Sequence, residues 1–222
     1  RQNSFPQEVS MPHYYTPHPT SEHDIKLIQA TLRGLSLRFF TDSGVFSKDG
    51  VDYGTQALIA AMRIPAGAAV LDMGCGYGPL GITAALLNPT GSVTFADINA
   101  RALDLAAKNC AANGVTNARF VLSDGFGALE HDKFDCILLN PPIRAGKDVV
   151  FRLYRGAARH IKPCGSLWVV IQKKQGAPST AKELALLFSA VHIRDRDKGY
   201  YVFEAEAEAK GTEPIASQPP TC

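Results

Sequence analysis

The sequence predicts an α/β fold, with a mostly parallel sheet, helices on both faces and an antiparallel hairpin at one edge. Short apolar runs of strand length alternate with segments of helical periodicity along most of the chain. Strands that are separated by helices pair in parallel, so this alternation favours a parallel sheet. The last two apolar runs are joined by a short link without a helix, which favours an antiparallel pair.

The predicted strands and helices follow one another from residue 35 onward. The strands are the short runs rich in Val, Ile, Leu and Phe, at 35–40, 70–73, 93–97, 120–122, 134–139, 167–172, 191–194 and 200–203. The helices are the longer segments between them, at 53–62, 79–87, 101–113, 149–161 and 180–188. The first strand leads to a turn at 42–44 and precedes the regular alternation.

Length and composition indicate one folded domain with two extended ends. The 222 residues suffice for a single core, and 45% hydrophobic with 20% charged residues excludes overall disorder. Residues 1–24, rich in His, Pro, Ser and Thr, are predicted to be an extended arm. Residues 25–204 are predicted to form the domain, with a small strand and turn element at 33–50, and residues 205–222 are predicted to be a disordered tail.

The chain shows no membrane, export or metal-binding signal. The most apolar stretch, 57–71, is interrupted by Arg63 and Pro65 and is too short to cross a bilayer. The polar N-terminus resembles no secretory signal, so we expect a cytoplasmic protein. The histidines lack metal-ligand spacing, and we expect no metal site. The five cysteines are odd in number and widely spaced, which predicts free thiols; they are Cys75, Cys110, Cys136, Cys164 and Cys222.

A glycine-rich loop lies between the strand at 70–73 and the helix that Pro79 opens. Gly74, Gly76 and Gly78 alternate in it, and glycines of this kind let a backbone approach a ligand closely. The spacing alone predicts only a nucleotide-containing cofactor. Asp72 would repel the pyrophosphate of a dinucleotide but would attract the ammonium and sulfonium of S-adenosylmethionine, which we therefore predict as the cofactor.

Two further carboxylates follow the next two strands. Asp97 is placed to accept hydrogen bonds from both ribose hydroxyls, and Asp124 from the adenine amino group. The alternative is that both residues merely cap the helices that follow. The predicted cofactor-binding residues are Asp72, Gly74, Cys75, Gly76, Tyr77, Asp97, Ile98, Asp124, Gly125 and Asn140.

The strand at 134–139 leads into Asn140, Pro141, Pro142 and Ile143, which are the predicted catalytic residues. The two prolines supply no backbone donor, so the turn offers acceptors, namely the Asn140 side-chain oxygen and the Pro141 carbonyl. Two acceptors that bind the hydrogens of a conjugated amino group align its lone pair with a sulfonium methyl. The alternative is an ordinary Pro-Pro turn.

Taken together, the segments 72–78 and 140–143 resemble class I S-adenosylmethionine-dependent methyltransferases that modify an exocyclic amino group. The segments 41–47, 143–147 and 168–177 are similar to those of small bacterial proteins related to the 16S ribosomal RNA guanine-N2 methyltransferase. The resemblance covers roughly residues 13–204. It implies a Rossmann-like fold with a seven-stranded sheet, S-adenosylmethionine as methyl donor, and guanine N2 of small-subunit ribosomal RNA as acceptor.

The resemblance also implies a role for each matched residue. Asp72, Gly74 and Gly76 would hold the methionine end of the cofactor, Asp97 the ribose and Asp124 the adenine edge. Asn140 and Pro141 would bind the target amine. Relatives that act on adenine or on glutamine usually carry an aromatic residue where this chain has Ile143, so the aliphatic residue favours guanine.

The charge distribution suggests where RNA would bind. The whole chain has a net charge of only +2, but residues 144–198 contain 12 Lys or Arg and 4 Asp or Glu. Arg152, Arg155 and Arg159 recur at helical spacing and favour an ordinary solvated face. Arg144 and Lys147 follow the predicted catalytic turn, and Lys173 and Lys174 follow the next strand, so both pairs are expected at the active-site edge. The predicted substrate-binding residues are Phe46, Arg144, Lys147, Lys173 and Lys174, and Tyr77 is a second aromatic candidate.

Three functional hypotheses follow. The first is an enzyme that methylates guanine N2 in ribosomal RNA, with that RNA or the small ribosomal subunit as partner. The second keeps the chemistry but changes the acceptor to a protein glutamine, adenine or a small-molecule amine. The third is a cofactor-binding RNA assembly factor, against which the paired acceptors at Asn140 and Pro141 argue. The sequence predicts no particular oligomeric state.

Overall fold

The computed structural model describes residues 24–43, 47 and 50–209. Nearly all of the predicted arm, most of the predicted tail and Phe46 lie outside these residues. The strands are β1 (Lys26–Leu32), β2 (Leu35–Thr41), β3 (Ala69–Met73), β4 (Ser92–Asp97), β5 (Ala118–Leu122), β6 (Phe134–Leu139), β7 (Ile161–Gln172), β8 (Ala190–Asp197) and β9 (Tyr200–Glu206). The helices are α1 (Tyr53–Ala61), α2 (Pro79–Leu87), α3 (Ala100–Ala112), α4 (Lys147–His160) and α5 (Ala177–Leu187).

The central sheet has seven strands in the order β5-β4-β3-β6-β7-β9-β8. The first five strands are parallel to one another, whereas β9 is antiparallel to both β7 and β8. This arrangement confirms the predicted fold class, including the antiparallel hairpin at one edge. Because β3, β4, β6 and β7 run in the same direction, their carboxyl ends meet at one edge of the sheet.

The two faces of the sheet are buried by different helices, as the alternation of strand side chains requires. Val70 and Leu138 point to the core that includes α1, α2 and α3. Their chain neighbours Leu71 and Leu139 point to the core that includes α4 and α5. Trp168 on β7 is fully buried in the first of these cores. The central strands are therefore apolar on both faces, which is why they appear as continuous hydrophobic runs.

A separate two-stranded hairpin, β1 and β2, packs beside α3. The sequence reading included β2 but missed β1, since its first residues are exposed and only the hairpin pairing orders them. Arg33 and Gly34 form the two-residue turn, with φ of 48° and 80°. A type I′ turn needs two positive φ values, so Gly34 is the residue from which this turn could have been predicted.

Several element boundaries differ from the predictions. β7 begins at Ile161 rather than at 167, because its first half continues directly from α4 across Pro163 and Gly165. β9 extends to Glu206, and Ala205 is fully buried. The predicted domain boundary after residue 204 therefore falls inside a strand that pairs with both β7 and β8.

Among the residues described, no helix is long and apolar enough to cross a membrane. The same part of the chain contains no group of three or more His, Cys, Asp or Glu that could hold a metal ion. The four cysteines within it are free thiols, of which only Cys164 is exposed.

Asn109 on α3 holds the hairpin and the chain around Tyr77 together, and we expect its loss to destabilise the fold. Its side-chain nitrogen donates to the carbonyl oxygens of Phe40 and Tyr77, both at 2.9 Å, and its oxygen accepts from the Phe40 N–H at 2.7 Å. Since each buried bond contributes about 1 kcal/mol, N109A should lower the free energy of unfolding by about 2 to 3 kcal/mol. Urea denaturation measures the change.

Asn113, one turn later, provides the matched control. It also bonds to the backbone of Arg38 in the same hairpin, but the side chain is only half-buried and these two bonds are exposed to solvent. N113A should therefore cost clearly less than N109A. Equal losses for the two variants would contradict the role assigned to Asn109.

Candidate active site

A large cavity opens at the carboxyl edge of the parallel strands. Its volume is about 490 Å³, and it is lined by the ends of β3, β4 and β6, by the loop that follows each of them, and by the beginnings of α1 and α2. Most of the residues predicted for the site line it. They are Gly74, Cys75, Gly76, Tyr77, Asp97, Ile98, Asp124, Gly125, Asn140, Pro141, Pro142, Ile143 and Arg144.

The glycine loop forms one wall and connects β3 to α2. Gly76 and Gly78 have φ angles of 56° and 95°, which residues other than glycine rarely adopt. Gly78 also lies against Phe95 and Ala106, so a Cβ there would crowd the core. Pro79 occupies the first turn of α2, where no backbone donor is needed.

Tyr77 packs into the protein core beneath this loop. The Tyr77 ring packs edge-on against Phe39, with 5.7 Å between the ring centroids, and its hydroxyl donates to the Gly50 carbonyl. Only 3% of Tyr77 is exposed. Although Tyr77 contacts the cavity, it is chiefly a packing residue and offers little surface for stacking a base.

Asp72 does not line the cavity. It is fully buried between β3 and the first turn of α2, where its Oδ2 accepts a hydrogen bond from the Gly81 N–H at 2.8 Å. No described group donates to its Oδ1. The pKa of the Asp72 carboxyl is raised to about 7, chiefly by burial; the hydrogen bond from Gly81 opposes this shift, and the nearby charge of Asp97 adds to it. Asp72 therefore lies beneath the glycine loop, without direct access to the cavity.

Asp97 lies at the end of β4 and does line the cavity. Its two oxygens accept hydrogen bonds from the N–H groups of Gly76 and Asn99, both at 2.9 Å. Burial raises the pKa of Asp97 above its ordinary value, although these bonds oppose the shift. Asp97 thus joins the glycine loop to the start of α3 and places a desolvated carboxylate on the cavity wall.

Asp124 lines the cavity and forms an ion pair with Arg152, which the sequence analysis assigned to a solvated helix face. Arg152 donates to its Oδ1 at 2.8 Å, and more than half of each side chain is exposed. Arg152 also lines the cavity, so its assignment to an ordinary solvated face was incomplete. Arg155, one turn later, instead pairs with Glu183 at 2.8 Å.

Asn140 lies where β6 ends, and the start of α1 holds its side-chain amide. The Asn140 Nδ2 donates to the Thr55 Oγ1 at 3.0 Å and to the Asp52 Oδ1 at 3.3 Å. An ionised carboxylate only accepts hydrogen bonds, so the amide nitrogen must face Asp52. The Asn140 Oδ1 then remains as an acceptor. The neighbouring Pro141 carbonyl accepts one bond from the Ile143 N–H at 2.9 Å and retains a second lone pair.

Several lining residues were not found from the sequence. Asp52 and Thr55 belong to α1, where Asp52 caps the helix by accepting from the Thr55 N–H at 3.1 Å. An Asp directly before a helix is a capping signal, but nothing local shows that it faces Asn140. Tyr200 reaches the cavity from the start of β9, and Gln175 reaches it from the turn after β7. Only the tertiary fold brings these segments together.

The predicted phosphate-binding cations occupy the same edge, though most lie outside the cavity. Arg144 lines it, whereas Lys147, Lys173 and Lys174 do not. Lys173 and Lys174 form a short exposed turn directly after β7. Lys147 begins α4 and stands over the Phe151 ring.

Comparison with known proteins gives consistent matches. The family model "Methyltransferase small domain" matches residues 36–204. The uncharacterized protein YbxB of Bacillus subtilis is 41% identical over 87% of this chain and 98% of its own length. Ribosomal RNA small subunit methyltransferase C of Escherichia coli is 32% identical over 80% of this chain and 52% of its own length.

Among solved structures, the 16S rRNA N2 methyltransferase RsmC of T. thermophilus, in complex with AdoMet and guanosine, matches with a TM-score of 0.75. The identity is 26%, and the alignment covers 86% of this chain and 52% of RsmC. The chain therefore spans about half the length of the two ribosomal RNA methyltransferases that it matches.

The residues present fit S-adenosylmethionine. Asp72 and Asp97 are both desolvated carboxylates with raised pKa values, one beneath and one beside the glycine loop. A cationic ligand relieves the cost of keeping such carboxylates ionised, whereas a pyrophosphate increases it. The orphaned Oδ1 of Asp72 adds a buried acceptor beneath the same loop.

The raised pKa of Asp72 predicts a pH-dependent stability. Because the folded-state pKa of about 7 exceeds the ordinary 3.8, the folded protein holds a proton that the unfolded chain has lost between these values. The contribution of Asp72 to the free energy of unfolding therefore falls as pH rises from about 4 to about 7 and then levels off. The variant D72N keeps an oxygen for the Gly81 N–H but cannot ionise. Relative to it, the wild type should lose about 2 kcal/mol of unfolding free energy between pH 5 and pH 8.

Urea denaturation of both proteins at the two pH values measures this difference. D148N is the control, because Asp148 is exposed in the first turn of α4. It should keep the slope of the wild type. Parallel curves for the wild type and D72N would show that Asp72 is ionised throughout and would refute the prediction.

Proposed function

The chain belongs to the methyltransferase small domain family and is an S-adenosylmethionine-dependent methyltransferase; from this premise we propose that it methylates guanine N2 in small-subunit ribosomal RNA. S-adenosylmethionine supplies an electrophilic methyl group on a sulfonium. The protein then has to bind this donor, to align an acceptor amine with the methyl group and to hold the substrate at the cavity mouth.

The orientation of the Asn140 amide carries the proposal that the acceptor is an amino group. Its Nδ2 is held by Thr55 and Asp52, so its Oδ1 is the atom left to bind a ligand. The second lone pair of the Pro141 carbonyl is available beside it. Two adjacent acceptors bind both hydrogens of an –NH2 group and direct its lone pair out of their plane, toward the methyl donor. A hydroxyl acceptor has one hydrogen and would need only one of them.

The surroundings of Asn140 favour a nucleobase as the carrier of that amine. Ile143 is half-buried on the cavity wall and presents an aliphatic surface to a flat ring. Tyr200 contributes an aromatic ring near α1, where it lies within 3.0 Å of the position that a Cβ on Gly54 would occupy. Tyr200 is therefore our candidate for an aromatic contact with the base. Phe46, which the sequence predicts for such a contact, lies outside the described residues.

Guanine is favoured over adenine and glutamine for two reasons. Ile143 stands where relatives that act on those acceptors usually have an aromatic residue, as the resemblance implies. In addition, the 26% identical RsmC structure is that of a 16S rRNA N2 methyltransferase with guanosine bound. Both observations support guanine N2 as the acceptor.

Exposed cations near the cavity supply the proposed contact with RNA phosphates. Arg144, Lys173 and Lys174 are exposed and form no ion pair within residues 24–43, 47 and 50–209. By contrast, Arg155 and Arg194 are paired with glutamates. Unpaired cations remain available for phosphates, so the active-site edge is the favoured RNA face.

Methyl transfer from labelled S-adenosylmethionine tests the acceptor. Small ribosomal subunits, free ribosomal RNA and total protein are incubated with the enzyme, and nucleosides and peptides are analysed by mass spectrometry. We expect N2-methylguanosine from the RNA of the small subunit. The variant N140A should abolish transfer while leaving the dissociation constant of S-adenosylmethionine within about threefold, because Asn140 acts mainly on the acceptor.

Label on glutamine or adenosine would overturn the guanine proposal but keep the amine chemistry. Normal turnover by N140A together with weakened cofactor binding would overturn the role of Asn140 itself. Binding to the subunit without any label would favour the RNA assembly factor.

The two lysines after β7 should determine much of the salt dependence of RNA binding. The double variant K173A/K174A removes two cations from the active-site edge, so the slope of log K against log salt should become less steep by about 1 to 2. Titration of a ribosomal RNA fragment at several salt concentrations measures the slope. Cofactor affinity should not change, because neither lysine lines the cavity.

R63A/K133A is the matched control. Arg63 follows the end of α1 and Lys133 precedes β6, so both lie at the opposite edge of the sheet. This variant makes the same charge change and should keep the slope of the wild type. An equal effect of the two double variants would mean that net charge, rather than this edge, controls binding.

A further inference from the structure

We propose that Asp52 and Thr55 are positioning residues for methyl transfer, and that the Asp52 carboxylate also stabilises the positive charge that reaches the acceptor amine. The inference rests on the proposed transfer to an amino group. It concerns the two residues that bind the amide nitrogen of Asn140, whereas the acceptor amine is proposed to bind the amide oxygen.

The hydrogen bonds at Asn140 leave little rotational freedom. An amide nitrogen has two hydrogens, and the two acceptors Thr55 Oγ1 and Asp52 Oδ1 account for both of them. Thr55 is only 4% exposed, so its hydroxyl is held by the surrounding packing. The amide plane of Asn140 is thereby fixed before any substrate binds.

The start of α1, which carries Asp52 and Thr55, is firmly anchored in the fold. Asp52 and Thr55 are the cap and the third residue of α1, joined by the bond from the Thr55 N–H to the Asp52 Oδ1. The next turn of the helix inserts Leu58 and Ile59, both essentially unexposed, into the core. The Tyr200 ring packs on Gly54 between the two polar residues. A helix end anchored in this way positions Asn140 more precisely than a free loop would.

The charge of Asp52 matters for the reaction itself. As the nitrogen lone pair of the acceptor forms the new N–C bond, the S–C bond breaks and its electron pair stays on sulfur, which becomes a neutral thioether. The positive charge therefore moves to the nitrogen, until one of the amine protons is lost to water. Asp52 lies on the acceptor side of the cavity and is linked to that nitrogen through the Asn140 amide. A fixed negative charge there stabilises the transition state more than the ground state.

Two substitutions separate the positioning role from the charge role. T55V is nearly isosteric and removes the acceptor for the Asn140 amide, while the N–H that Asp52 caps is kept. D52N keeps a capping oxygen and an acceptor for Asn140, since Asn caps helices as well as Asp does, but it removes the charge. Each variant is assayed for kcat, for KM with ribosomal RNA and for the dissociation constant of S-adenosylmethionine.

We expect both variants to lower kcat about tenfold or more, with KM and cofactor affinity within about twofold of the wild type. T55S, which restores a hydroxyl at residue 55, should recover most of kcat. T180V is the matched control, because the Thr180 hydroxyl also makes a buried side-chain bond, to Tyr154 at 3.2 Å, but on the other core. It should lower stability without lowering kcat.

Two results would overturn the inference. One is a wild-type kcat in T55V or in D52N, which would remove the positioning or the charge role respectively. The other is an equal loss of kcat in T55V and T180V, which would reduce the effect to general destabilisation.

A second measurement does not depend on the acceptor. In nitrogen-15 NMR spectra, the side-chain amide of Asn140 is assigned by its absence in N140A. Its two protons should exchange slowly with solvent in the wild type and at least about tenfold faster in T55V. If the wild type labels no ribosomal RNA but shows this difference, the proposed function fails and the positioning role stands. Equal exchange in both proteins refutes the positioning role whatever the acceptor is.

Discussion

The parallel pairing of the central strands is the constraint on which the candidate site depends. Since β3, β4, β6 and β7 run in one direction, the groups that follow them meet at one edge although they are distant in sequence. Asp97, Asn140 and the lysines after β7 reach that edge for this reason. An antiparallel arrangement of the same strands would place alternate groups at opposite ends of the domain.

The two halves of the cavity differ in how they use buried polar groups. On the cofactor side, Asp72 and Asp97 are desolvated carboxylates whose burial is unfavourable unless a cation is near. On the acceptor side, Asp52 and Thr55 bind the Asn140 amide and leave its oxygen available. This division fits the proposed transfer of a methyl group from a sulfonium to an amine. In that reaction, positive charge leaves the cofactor and reaches the acceptor.

How much of the site was predictable depends on where each residue lies in its own element. Residues at strand ends, such as Asp97 and Asn140, were found because a strand followed by a glycine, acid or proline turn is a local pattern. Asp52 was not found because its local pattern is only that of a helix cap, and its contact with Asn140 joins positions 88 residues apart. The position of Asp72 beneath the loop was likewise not predictable, because burial depends on how α2 packs over β3.

The sequence by itself determined the order of the elements from β2 onward, the parallel sheet with its antiparallel edge, the class of cofactor and the family. Each of these depends on periodicity or on a motif of adjacent residues, which the chain shows without folding. Only the tertiary structure decided that Arg152 pairs with Asp124, that Tyr200 reaches the cavity and that α1 holds the Asn140 amide. These contacts join separate segments, and their geometry is set by packing of the whole domain rather than by local preference.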